Sequence, residues 1–432
     1  MLALAMSAVV GFISCDNEGS KAKLYDLSVT IALDEELSAE GVEVADLSDI
    51  TISLVDAASG AITKEAATGE TTVVKVKGGE YNVVVSAEIA KAGGAIVPCN
   101  GSATKVSCYT DQAVTVTLSK TGTKSGLVIK EIYECGVMSY YYRDVFVEIY
   151  NNSDQVEYLD GIIISFVQPA GNGMAAPTSN PWEGDIELGD RYALDGATVY
   201  FPGDGDDYPL QPWTSTVVAA TAINHAGREL TSDQDVASPV DLSGADWEIS
   251  LPSSGLSSTD SDTPEVDNLV FGYWPRGSYD FYPTDRNGTP IIIAKPNLGE
   301  GMTITDYLDA DENKIIHPTY RSFGSAMASM AGAIYTTIPT SWVLDAIEIV
   351  WAPEAGRVKV LNNKDDMGMV WVDGSNDGTL VAAQCAGKSL RRKVSALTAE
   401  GKPIYKDTNN SSEDFAMGGA TPTPGVHPTT VD

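Results

Sequence analysis

Only three histidines occur in the chain, His225, His317 and His427, and imidazole is the usual base for activating a nucleophile near neutral pH. No two of them form an HxxxH pair, and no Gly-x-Ser-x-Gly turn occurs, so a zinc or serine hydrolase is not expected. Glycoside hydrolysis needs only two carboxylates facing across a cleft. The 60 Asp and Glu residues supply such pairs without selecting one, and a solvated acidic surface accounts for them equally well. Oxygen-rich turns are better defined. DGSNDG places Asp373, Ser375 and Asp377 at alternate positions with Gly378 next, matching the first half of an EF-hand-type calcium loop. Gln384 stands where the bidentate Glu would be, and the same residues also read as a hairpin turn. DADEN (Asp309, Asp311, Asn313) repeats the spacing without the glycine, and DGDD at 204–207 is acid-rich without a register. Calcium is thus the one cofactor suggested, at Asp373, Ser375 and Asp377.

Aromatic residues form two clusters. SYYYRDVF holds Tyr140, Tyr141 and Tyr142; FGYWPRGSYDFYPTDRNG holds Tyr273, Trp274, Tyr279, Phe281 and Tyr282. Exposed rings stack on sugar faces or anchor protein partners. The second cluster is interleaved with Pro, Gly and charged residues that suit a loop, so its five rings are the candidate ligand-binding set. Burial at the edge of a sandwich is the alternative.

The elements that must carry these residues are mostly strands. Leu27, Val29, Ile31 and Leu33 alternate with polar neighbours, as do Ile50, Ile52 and Leu54, and Val114, Val116 and Leu118, the period-2 pattern of half-buried strands. DAASG and KGGEY punctuate them as turns. An all-β chain built of β-sandwich is expected, and its length allows two or three domains. One short helix, FGSAMASMAGAIY at 323–335, competes with a buried strand. SKTGTKSG, 119–126, reads as a polar linker.

A formal net charge of -33 repels phosphate backbones, which excludes nucleic acid as a partner. The first residues are apolar and uncharged from Leu2 to Ile13, too short to span a bilayer but suited to a secretion signal at 1–14. Phe12-Ile13-Ser14-Cys15 resembles a bacterial lipobox, in which Cys15 takes the lipid and begins the mature chain. Residues 15–24 then form an acidic tether. Asp16, Asn17 and Glu18 resemble the surface-export signal of Bacteroidota lipoproteins, which implies an outer-membrane lipoprotein on the cell surface. Lipidating Cys15 leaves four of the five cysteines. Cys99 and Cys108 are close enough in sequence to close a small loop in an oxidising compartment. Cys135 and Cys385 are a second bridge or two buried thiols.

Residues 25–120, with KVKGGEYNVVVSAEI, resemble prealbumin-like or carboxypeptidase-regulatory-like modules, which are usually spacers. LVIKEIYECG and DVFVEIYNNSDQVEYLDGIIIS are similar to the opening of lamin-tail domains, through Lys130, Glu131 and Ile132, then 146–151, then Leu159 and Gly161. GKSLRRKVSA and the TPTPG at 421–425 resemble the closing Gly-x-Ser-Leu-x-Arg and Thr-Pro-Gly of the same domains. The lamin tail is an immunoglobulin-like sandwich, so 127–432 is expected to be one, enlarged by insertions around 200–340. The whole arrangement resembles a Bacteroidota lipoprotein family classified only as a domain of unknown function. These readings favour a non-enzymatic surface lipoprotein with a binding or accessory role, partnering a TonB-dependent outer-membrane transporter or binding glycan. The competing readings are a carboxylate-based hydrolase of extracellular polysaccharide and a calcium-stiffened structural or adhesion protein.

Overall fold

A computed structural model describes residues 23–56, 62–90, 96–120, 125–133, 143–167, 189–227, 238–251, 261–273, 281, 290–316, 334–349, 359–370, 387–416 and 419–432. Among these the chain is nearly all-β, as expected. Its helices are short, such as Glu35–Ala39, Ile304–Asp309 and Ser411–Asp414. No helix among the described residues is long and apolar enough to cross a membrane.

The first seven strands are β1 (Leu24–Leu33), β2 (Leu47–Asp56), β3 (Ile62–Ala66), β4 (Thr71–Lys77), β5 (Glu80–Ala90), β6 (Ile96–Ser107) and β7 (Gln112–Lys120). They pair in the order β3-β2-β5-β6-β7-β1-β4, with β1 parallel to β7 and antiparallel to β4. Alternation in the sequence places Leu27, Val29 and Ile31 of β1 opposite Ile52 and Leu54 of β2 and Val83 and Val85 of β5 in one core.

Cys99 and Cys108 correct an expectation. Cys99 lies in β6 and Cys108 directly after its last residue, so an extended chain of nine residues holds them roughly 30 Å apart at the usual rise per residue. A disulfide needs Cα atoms within about 7 Å. Closeness in sequence becomes distance in space because the intervening residues are strand, not loop. Both are buried thiols of the first core, and burial pushes the Cys108 thiol up. Alkylation of the unfolded, unreduced protein is expected to modify both residues; peptides linked through 99 and 108 would contradict this.

Most of the remaining strands build two facing sheets, with two further two-stranded pairings beside them. One contains β8 (Leu127–Tyr133) and β9 (Phe146–Asn151), extended by Ser215–Ala219 and Trp247–Glu248 on one side and Leu390–Arg391 on the other. The other is built around Ile163–Val167, flanked by Arg191–Tyr200 and Ile291–Ala294, with Val343–Ile347 at its edge. Residues 200–340 therefore contribute core strands and not insertions alone. Ile129, Ile132, Val147 and Ile149 of the first sheet meet Ile164, Phe166, Ile291, Ile293 and Ile347 of the second. Every residue of β8 and β9 is buried, so a second layer must cover their outer face. The segment 394–432 provides part of it, packing Val394 and Tyr405 on Val128 and Tyr150.

A candidate functional site: the charged face under the C-terminal segment

A β-bulge sets up this face. β8 and β9 pair Ile129 with Ile149 and then Glu131 with Glu148, leaving Lys130 as the extra residue. A bulge opposes two residues to one and re-aims the side chains beside it. Lys130 and Glu131 consequently both engage partners on the side of the sheet that carries Glu148. All three are buried, and charges in a dry interior persist only with partners.

The partners come from the last strands and the C-terminal segment. Lys130 Nζ donates to Glu148 Oε2 at 2.7 Å and to the Val426 carbonyl at 2.7 Å. Glu148 also accepts from Ser215 Oγ at 2.6 Å and from the Gly425 N–H at 3.1 Å. Gly425 has φ +72°, a left-handed turn that favours glycine, and this turn aims its N–H at the carboxylate. Glu131 accepts from Ser389 Oγ, from the Thr423 N–H at 3.1 Å and from Thr423 Oγ1 at 3.2 Å. Burial pushes the Glu131 carboxyl up, against the pull of Ser389 and Lys130. Thus the two ends of the chain pattern, KEI and FVEIYN with GKSLRR and TPTPG, meet here.

Ser215 and His427 share this face, with Oγ and Nε2 3.3 Å apart. The arrangement lacks the order of a catalytic triad, in which the acid holds the imidazole and the imidazole takes the serine proton. Here the acid takes the serine proton directly. Ser215 has one hydroxyl hydrogen and gives it to Glu148, so Nε2 must donate to Oγ, and Nδ1 is left without a hydrogen-bond partner. Burial, with Lys130 and Lys402 nearby, lowers the His427 imidazole to about 4. It is neutral at pH 7 and faces away from any base role at Ser215.

A second node lies at the sheet edges. Arg392, 1% exposed, donates through Nε to the Ile129 carbonyl at 2.9 Å and through Nη1 to the Lys406 carbonyl at 3.0 Å and Asp407 Oδ1 at 3.2 Å. Nη2 pairs with Asp345, and Asp414 lies 3.6 Å from Nη1. The guanidinium also sits 4.7 Å from the Phe415 ring centre. Asp345 belongs to the facing sheet and accepts from the Ile129 N–H at 2.7 Å. One residue thereby joins both sheets to the C-terminal segment. Burial alone would lower the Arg392 pKa, but Asp345, Asp407 and Asp414 raise it. One cation cannot neutralise three buried or half-buried acids. Burial and like charge raise Asp345, and burial raises Asp414 to about 7. Glu348, accepting from the Val360 and Leu361 N–H groups, is likewise raised by burial to about 7.

These shifts predict a pH dependence. A carboxyl that binds its proton more tightly when folded adds stability as pH falls through the folded pKa toward the unfolded one. His427 acts oppositely, but only below its unfolded value near 6.5. As pH falls from 8 toward 6.5 the raised carboxyls Glu348 and Asp414 take up protons in the folded state first, and the melting temperature should rise. Glu348→Gln should flatten that slope; a wild-type melting temperature that falls over this interval would contradict the sign.

The other expected site residues are placed as follows. Phe281 is buried against Phe166, ring centres 4.9 Å apart, so it is core and not an exposed ligand-binding ring. Its hydrophobic surface is better satisfied between sheets than in water. Tyr273 ends the strand Val270–Tyr273, and its hydroxyl donates to the Ile334 carbonyl and accepts from the Thr336 N–H, both at 3.1 Å. That ring is a strand-to-strand clamp. Trp274, Tyr279, Tyr282, the tyrosines 140–142, Cys15, Cys135, Cys385, the calcium loop at Asp373, Ser375 and Asp377, and 323–333 of the helix expected at 323–335 lie outside the described residues; Ile334 and Tyr335, its last two residues, open the strand Ile334–Pro339. DADEN is described and does not gather oxygens: Asn313 holds Arg191 at 2.9 Å, and Lys314 lies 3.1 Å from Asp311. In DGDD the N–H groups of Gly205, Asp207 and Tyr208 surround the Asp160 carboxylate at 2.9–3.0 Å. That loop wraps an anion, with its donors pointing inward. Among the described residues no group of three or more His, Cys, Asp or Glu could hold a metal ion.

The pattern in the sequence covers Lys130, Glu131, Glu148 and Arg392 but gives no sign that they are buried together, and Ser215, Asp345 and Asp414 carry no such mark. The available signal was the acid-base pairing of KEI and FVEIYN with the basic run at 391–393.

Two comparisons with known proteins find similarity. Residues 211–423 match the model described as protein of unknown function (DUF4876). The crystal structure of a DUF4876 family protein from Bacteroides thetaiotaomicron VPI-5482 is similar over 94% of this chain and 99% of that one, at 24% identity and a TM-score of 0.54. At that identity the likeness shows the fold. No curated protein matches the chain. The matched span contains Ser215, Asp345, Arg392, Asp414 and Thr423, whereas Lys130, Glu131 and Glu148 precede it.

Proposed function

We propose that this chain is a DUF4876 family protein, a lipoprotein carried on the cell surface through Cys15, with a non-enzymatic binding or accessory role. The sandwich reading extends to its finer form, a lamin-tail-like region preceded by a prealbumin-like spacer. The observation that carries the non-enzymatic reading is the fate of Glu148, Ser215 and His427. These three are an acid, a hydroxyl and an imidazole in contact, and their proton order serves packing instead of nucleophile activation. The buried carboxylates Glu131, Asp345 and Asp414 are similarly consumed in holding the C-terminal segment. What remains for function is surface and loop, which suits partnership with a TonB-dependent transporter or a glycan.

The test has two parts. Mass analysis of the native N-terminal peptide should find lipid on Cys15, and Cys15→Ala should release the protein from membranes. Cross-linking in native outer membranes followed by affinity capture should return a transporter in near-stoichiometric amount. Recovery of the chain alone counts against the accessory role, and turnover of a polysaccharide by the purified protein would overturn the non-enzymatic reading.

A further inference from the structure

The start of β1, the turn between β4 and β5 and the turn between β6 and β7 lie together at one end of the first sandwich, where the chain emerges from its N-terminal residues. Leu24 pairs with Lys77 across β1 and β4, and Asp111 accepts from the Asp26 N–H at 2.9 Å. A Cβ built on Gly78 would stand 3.3 Å from the Tyr25 ring and 3.4 Å from the Tyr109 ring, so the absence of a side chain there lets both rings close over the turn. Lys23 Nζ sits 4.9 Å from the centre of the Tyr25 ring. Leu24 is 53% exposed and Tyr109 61% exposed. An aliphatic residue, two tyrosines and lysines with long apolar stems are the side chains that partition to the headgroup layer of a bilayer.

The charge here differs from that of the whole molecule. Lys23, Lys75, Lys77 and Lys105 stand against Asp26, Asp56, Glu80 and Asp111, a balanced set in a chain of formal net charge -33. An anionic membrane surface repels most of this protein. This end escapes that repulsion. It is also the end that a lipid on Cys15 would hold nearest the bilayer. Lys23 lies eight residue steps after Cys15, and at most about 3.6 Å per step gives a reach of roughly 29 Å.

We propose that the Leu24, Tyr25 and Tyr109 end of the first sandwich is a lipid-headgroup contact surface that sets the orientation of the protein on its membrane. The proposal rests on the reading of Cys15 as the anchor point, and it adds a second, non-covalent contact that fixes which way the anchored body stands. A single flexible tether leaves orientation free, whereas contact at one end holds the opposite end outward.

The test couples the full chain, with Cys135→Ser and Cys385→Ser, through Cys15 to a maleimide lipid in phosphatidylethanolamine and phosphatidylglycerol vesicles. Cys99 and Cys108 are buried and stay unreacted. Hydrogen exchange of residues 77–80 and 107–112 should slow fivefold or more relative to the same protein capped with a soluble maleimide. Tyr109→Glu, at an exposed position, should abolish the slowing. Unchanged exchange over the core stretches 51–54 of β2 and 83–87 of β5 verifies that the first sandwich of each variant is folded. Absence of slowing at these turns, or equal slowing over exposed loops such as 203–207, overturns the proposal. The chemical tether works whether or not cells lipidate Cys15, so failure here is separate from failure of the lipoprotein reading, which the mass of the native N-terminal peptide decides.

Discussion

Arg392→Met is expected to lower the stability of the second sandwich by about 3–5 kcal/mol, the usual cost of removing one partner from a buried ionic cluster. The loss comes from the acids left behind. Asp345 and Asp414 would remain buried with no guanidinium within reach, and the Ile129 and Lys406 carbonyls would lose their donors. Arg392→Lys should recover only part of this, because an ammonium cannot span Asp345, Asp407 and two carbonyls as the planar fork does. Chemical denaturation with a probe in this sandwich measures both. A loss below about 1 kcal/mol for the Met variant would mean that the cluster is dispensable.

Lys130→Met is the second large effect, again about 3–5 kcal/mol. Its ammonium links Glu148 to the Val426 carbonyl, so its removal leaves a buried carboxylate and frees the C-terminal segment. Glu148→Gln in the same background should return a substantial part of the loss, since the stranded charge is then gone. If the double variant is as unstable as the sum of the two single ones, the two residues do not act as a pair.

The strands of both regions were legible because their cores obey period 2. Leu27, Val29 and Ile31 point inward as their spacing requires, and β8 and β9 fall where KEI and FVEIYN resemble an opening pair of strands. The charged face was less legible, for a physical reason. Lys130, Glu148 and Arg392 are residue types that ordinarily sit in water, and only long-range pairing removes the cost of burying them. The bulge at Lys130 is set by the register against β9, which local sequence does not encode. The Gly-x-Ser-Leu-x-Arg likeness singles out Arg392 from the run 391–393, but composition alone does not reveal that this member turns inward.

Two errors share one cause. Cys99 and Cys108 were read as a loop because nine residues can close on themselves, yet β6 keeps them extended. Phe281 stands among the candidate ligand-binding rings because Pro, Gly and charge surround it, with burial the alternative, and one ring can leave such a stretch and enter the core beside Phe166. Local composition describes a segment's average surroundings, and individual side chains depart from it wherever tertiary packing offers a better place.

The central claim is that the charged residues of the recognisable pattern fasten the C-terminal segment. Hydrogen exchange over 419–432 in the wild type and in Lys130→Met tests it most directly. The account predicts that the Thr423 and Gly425 amides, held by Glu131 and Glu148, are slow in the wild type and lose most of that protection in the variant, while Ile163–Val167 stays protected. Equal exchange of these two amides in both proteins would contradict it.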